Sequence, residues 1–141
     1  MSKLHQAAIK ELARAIARGN TCYIHYTSRK ITTIDHDTKD KKIIAAQDKE
    51  IAAIELKMED HLKIEPQSNE DQIEIMKYFI DEVPDKSIRK EMTNALKRKN
   101  PIRNFMQVID SDMELRQRWR IFKFEEDQRW ISNYIIDAYN Y

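Results

Sequence analysis

Gly19 is the only glycine in a chain of 141 residues. A phosphate-cradling loop needs several, because its backbone must approach the anion closely and take positive φ. A P-loop, a dinucleotide-binding fingerprint and a kinase-type glycine loop are therefore absent from the sequence. The glycine stands where a helix should stop. Leu4, Ala8, Ile9, Leu12 and Ile16 share one face at helical spacing, and Ser2 can cap their helix. A helix is predicted over 3–18, ended by Gly19. Beyond it the period changes. Cys22, Ile24 and Tyr26 alternate with Tyr23 and His25, the pattern of a half-buried strand. Residues 27–30 supply a turn, and 31–35 return as a second strand. Pairing across that turn sets Tyr26 opposite Ile31 and Ile24 opposite Thr33.

After a charged connection, Ile43 and Ile44 suggest a short strand. From Asp48 onward Ile51, Ile54 and Met58 favour a helix, helped by alanines. Leu62 to Glu65 reads as a third strand, because Pro66 pushes its predecessor to extended geometry. Ser68 then caps a helix over 69–82, and Asp85 opens one over 86–99. Pro101 starts a short helix carrying Ile102, Phe105, Met106 and Ile109. A long helix over about 112–137 carries Leu115, Trp119, Phe122, Trp130, Ile131, Tyr134 and Ile135. The expected fold is α+β: an N-terminal helix, a short antiparallel sheet (hairpin plus a third strand), then helices ending in a long one.

The length fits one domain over 1–141, with a helix-plus-sheet part (1–66) and a helical part (67–141). Apolar residues make up 41% of the chain, near the globular norm, so a core is within reach. Cys22 is the single cysteine, which excludes an internal disulfide and suits a reducing cytoplasm. The first residues hold no long apolar run, and no stretch approaches the roughly 20 apolar residues of a membrane span. A soluble cytoplasmic protein with no membrane segment is expected.

These residues carry a resemblance. Gly19-Asn20-Thr21-Cys22-Tyr23-Ile24-His25, a turn and Lys30-Ile31-Thr32-Thr33-Ile34 resemble the opening hairpin of a bacterial group, Uncharacterised Protein Family 0158. Leu62-Lys63-Ile64-Glu65-Pro66 is similar to the family's "x-i-e-p" strand, and Ile75-Met76-Lys77-Tyr78-Phe79-Ile80 to its following helix. Ala95-Leu96, Phe105, Leu115-Arg116-Gln117-Arg118-Trp119 and Phe122-Lys123 continue the likeness in order, over nearly the whole chain. Two departures stand out. Arg29 or Lys30 replaces the turn glycine, and the acidic linker has become the mixed stretch 39–58. The resemblance implies a bacterial protein and a fold. It implies no reaction, since the family has no activity assigned.

Chemistry must be sought in the residues themselves. His5, His25, His36 and His61 are scattered, none at the i,i+4 spacing of a helical zinc site. Asp35 to Asp40 lacks the mid-loop glycine and terminal glutamate of a calcium loop. Cys22 and His25, three apart on a strand, point to opposite faces, so no thiolate–imidazole pair is expected. No pair of carboxylates has a setting that would split their pKa values. No catalytic residue, metal or cofactor is expected.

Charge layout says more than the net charge of +1. Residues 59–85 hold nine acids against Lys63 and Lys77, a net of −7. Residues 86–123 hold eleven bases against four acids, a net of +7. Acidic and basic faces can pair within the monomer or stay solvated. Alternatively the basic half meets phosphates, through Lys97, Arg98, Lys99, Arg103, Arg116, Arg120 and Lys123. As a third possibility, opposite halves of two protomers, or of a partner protein, meet.

The aromatics divide similarly. Trp119 shares a helical face with Leu115 and Phe122, which predicts burial. Trp130, Tyr134, Tyr139 and Tyr141 lie near the chain's end, where exposed rings would mark a dimer interface. The alternative has that helix fold back onto the first helix and the hairpin. The leading expectation is a non-enzymatic binding or interaction module with a protein partner or a homodimer. A nucleic-acid-associated protein comes second and an enzyme of unknown chemistry third.

Overall fold

The structure, a computed structural model, describes residues 5–139. In chain order it has α1 (Gln6–Ala17), β1 (Thr21–His25), β2 (Ile31–Ile34), α2 (Lys41–Glu55), a 3₁₀ turn (Met58–Asp60), β3 (His61–Ile64), α3 (Asn69–Glu82), α4 (Lys86–Lys97), α5 (Pro101–Asp110) and α6 (Met113–Tyr139). This is the expected α+β arrangement. The chain forms two compact units: one runs as far as Pro66 and resumes at Trp130, and the other is Gln67–Arg129. No helix among the described residues is long and apolar enough to cross a membrane.

In the first unit, α1 stops at Gly19 as predicted. Its φ is +85°, and the Gly19 and Asn20 amides donate to the carbonyls of Ile16 and Ala15 at 3.0 Å. That is a Schellman closure, which the missing side chain permits. The predicted cap Ser2 lies outside the described residues. The antiparallel sheet has the order β2-β1-β3.

Three expectations for this region need correction. First, β1 is buried on both faces instead of one. Cys22 and Ile24 pack with Leu12 and Ile16 of α1 and with Ile131 and Ile135 of α6. Tyr23 packs with Ile34 under Ile51 and Ile54 of α2. Second, Ile43 and Ile44 belong to α2. The Asp40 side chain accepts from the Lys42 and Ile43 amides and so starts a helix there. Third, the hairpin register pairs Ile24 with Ile31 and Cys22 with Thr33. Tyr26 leaves the β1–β2 ladder, and its amide donates to the Asp60 carbonyl at 2.8 Å. The longer loop closes through the left-handed Arg29 (φ 64°), whose amide donates to the His25 carbonyl. A hairpin loop of this length needs such a residue, and here arginine fills the glycine's place.

In the second unit, Ser68 and Asp85 cap α3 and α4 as predicted, accepting from the Asp71 amide and from the Ser87 and Ile88 amides. The core is aromatic. Trp119 is 7% exposed, as its spacing predicted, and meets Phe79 and Phe105 edge-on at 5.2 and 5.1 Å. Met92, Val108, Ile109 and Leu115 complete the cluster. Such ring pairs add about 0.5–1.5 kcal/mol each beyond the area they bury.

Candidate functional site

The basic residues of the second unit centre on the turn between α4 and α5. Helix α4 ends two residues earlier than predicted, because Arg98 is extended and Asn100 left-handed (φ 60°). Asparagine tolerates that conformation, and Pro101 suits the first position of α5. The Asn104 side-chain amide donates to the Lys99 carbonyl at 2.7 Å and holds the turn. Leu96 and Ile102 fix it to the apolar core. Lys97, Arg98, Lys99 and Arg103 all stand exposed on it. No acid occurs between Met92 and Ile109, and none of these four cations is in an ion pair among the described residues. The exposed carboxylates of α3 leave them solvated.

The other predicted patch residues differ. Arg116 is held by Asp110, through a 3.5 Å ion pair and a 3.0 Å bond to its carbonyl. Arg118 pairs with Glu114 one turn before it, while Arg120 is exposed. Lys123 is a correction. Its ammonium turns inward to Asp127 and Gln67, so it is not presented to a phosphate. Sequence reasoning missed Asp127, which is 1% exposed. The signal was there: Leu115, Trp119, Lys123, Asp127, Ile131 and Ile135 recur every fourth residue, and the charged pair interrupts an otherwise apolar stripe.

The C-terminal aromatics of the first unit are engaged within it. Trp130 stacks on Tyr134 at 5.5 Å, and the Tyr134 hydroxyl donates to the Lys63 carbonyl at 2.9 Å. Tyr139 meets Tyr26 edge-on at 5.0 Å and carries the Arg29 guanidinium over its face at 4.5 Å. Tyr141 lies outside the described residues. Tyr134 keeps 38% exposure and Ile136 53%.

Among the described residues no three of His, Cys, Asp and Glu gather as a metal site. Cys22 accepts no role as a nucleophile from its setting: burial pushes its thiol up, the charge of Glu11 adds to that, and the Thr33 hydroxyl lies 3.7 Å from its sulfur. Two of the scattered histidines do meet, because the β1–β3 register sets His25 opposite His61.

Fold and surface together define a small α+β protein with an exposed cationic turn. The chain belongs to the family described as Uncharacterised protein family (UPF0158), whose model matches residues 3–139. Comparison with curated proteins and with solved structures found no match.

Proposed function

We propose that the protein is a non-enzymatic binding module of the bacterial cytoplasm that holds a nucleic acid through its phosphates. The observation that carries this is the α4–α5 turn, with four exposed cations around a fixed backbone and none of them in an ion pair among the described residues. Side chains already neutralised within the fold, such as Arg116, Arg118 and Lys123, add little to such a surface. Contacts to phosphate carry no base information, so binding is expected to be indifferent to sequence. With about four phosphates neutralised, affinity falls roughly a hundredfold between about 50 and 200 mM salt. A gel-shift titration with mixed DNA and RNA tests this, with Lys97→Glu combined with Arg98→Glu expected to abolish the complex. Absence of a complex at low salt sinks the reading.

The second reading is self-association through the last turns of α6. Tyr134 and Ile136 favour it, since both stay exposed after their neighbours are packed. Sedimentation of the intact chain as a monomer at micromolar concentration ends it.

A further inference from the structure

The sheet face under α2 is apolar at one end and polar at the other. Tyr23 and Ile34 are sealed by Ile51 and Ile54. Towards the hairpin turn the same face carries Thr32, His25 and His61, and α2 answers with Glu50 and Ala53. The elements do not close there. They leave an open hollow of about 300 Å³, lined also by Lys30 and Ser28.

The two histidines in it have opposite, fixed tautomers. The Nδ1 of His25 accepts from the Thr27 and Ser28 amides at 3.2 and 3.1 Å, so its ring proton sits on Nε2. The Nδ1 of His61 lies 2.9 Å from the Lys57 carbonyl, which only accepts, so His61 carries its proton there and leaves Nε2 as an acceptor. The rings touch edge to face, 5.0 Å between centroids. Side by side they offer one N–H donor and one lone pair. The pair offers a donor beside an acceptor: His25 can share its Nε2 proton in a hydrogen bond, but releasing it would leave an imidazolate, so His25 serves as the donor. The pair is poor for a metal, because His25 has no free lone pair.

Around this pair stand two opposite charges. Lys30 and Glu50 line the same hollow, yet neither is in an ion pair among the described residues. Each is left to water, and a ligand bearing both charges complements both at once. We propose that the hollow is a site for a small zwitterion, a free α-amino acid. Its carboxylate is taken by Lys30 and the His25 N–H, and its ammonium by Glu50 and the His61 lone pair. Charge-assisted bonds of this kind discriminate strongly, because a ligand lacking one charge leaves its partner unsatisfied.

The test follows the imidazole signals of His25 and His61 by NMR while a mixture of the common L-amino acids is added to the intact protein. The same titration is run with the N-acetylated acids, which lack the ammonium, and with the amino-acid amides, which lack the carboxylate. Shifts are expected with the free amino acids, at affinities about tenfold or more above either blocked set. Lys30→Met and Glu50→Gln, both on exposed side chains, each weaken binding by about tenfold with the amide spectrum otherwise retained. No shift with the free amino acids overturns the proposal. So does an equal response to a blocked set, which would mark a plain anion or cation site.

Discussion

The Nζ of Lys123 lies 2.5 Å from both carboxylate oxygens of Asp127, one turn further along α6. The Gln67 side-chain amide donates to the same carboxylate at 3.0 Å, and its oxygen accepts from Lys123 at 3.3 Å. Every charge in this buried group thus has a partner.

Removing one partner is expected to cost more than removing both. Lys123→Met leaves a carboxylate of 1% exposure with only an amide beside it. Such an orphaned charge costs about 3–5 kcal/mol. Replacing the pair together, Lys123→Met with Asp127→Leu, restores an apolar stripe and recovers most of that loss. Denaturant unfolding of the three proteins checks the order. A single variant within about 1 kcal/mol of the parent would show the pair is solvated.

Trp119 closes the aromatic core of the second unit, in contact with Phe79, Phe105 and Phe122. Trp119→Ala leaves a hole that α3, α5 and α6 cannot jointly fill, and is expected to cost about 3–5 kcal/mol. Trp119→Phe keeps an edge-on ring and costs less. Thermal unfolding gives the ranking, and equal losses for the two variants would deny the ring contacts any part.

Local chemistry explains which parts were legible in the sequence. Ser68, Asp85 and Gly19 act within a few residues of themselves, so the starts of α3 and α4 and the end of α1 could be read directly. Ile43 and Ile44 could not, because the Asp40 cap and the burial of Ile54 outweigh the strand preference of β-branched residues. The hairpin register was hidden for a related reason. With no glycine to mark the left-handed position, the family likeness narrowed it to Arg29 or Lys30, and the structure places it at Arg29. Four adjacent cations were visible, but which of the remaining ones stay exposed depended on Asp110, Glu114 and Asp127. The His25–His61 pair depended on strand register alone.

Cys22 gives the fold a pH dependence. Desolvation holds its thiol above the ordinary value, outweighing the hydrogen bond with Thr33 that lowers it. The folded state therefore keeps its proton longer than the unfolded chain does. Stability from this group is full below the unfolded thiol's pKa of about 8.5 and declines as pH rises past it. Denaturant midpoints across that range are expected to fall more for the parent than for Cys22→Ala. Parallel curves would show that the thiol is not protected. Reaction with a thiol reagent should likewise need an opening of the fold.

The last turns of α6 are expected to be indispensable to the first unit. Ile131 is fully buried and Ile135 9% exposed, both against the sheet face that carries Cys22, Ile24, Leu62 and Ile64. Tyr134 adds its bond to the Lys63 carbonyl. Ending the chain after Arg129 removes all three and uncovers the central strand. Hydrogen exchange at the Tyr23 and Ile24 amides is then expected to lose its protection. Ile131→Ala alone is expected to destabilise the intact chain by about 2–5 kcal/mol. An interface helix with no structural part would behave otherwise: the truncated chain would keep β1 protected and change only in sedimentation. Retained protection at Ile24 would therefore move these residues from the core to a binding surface.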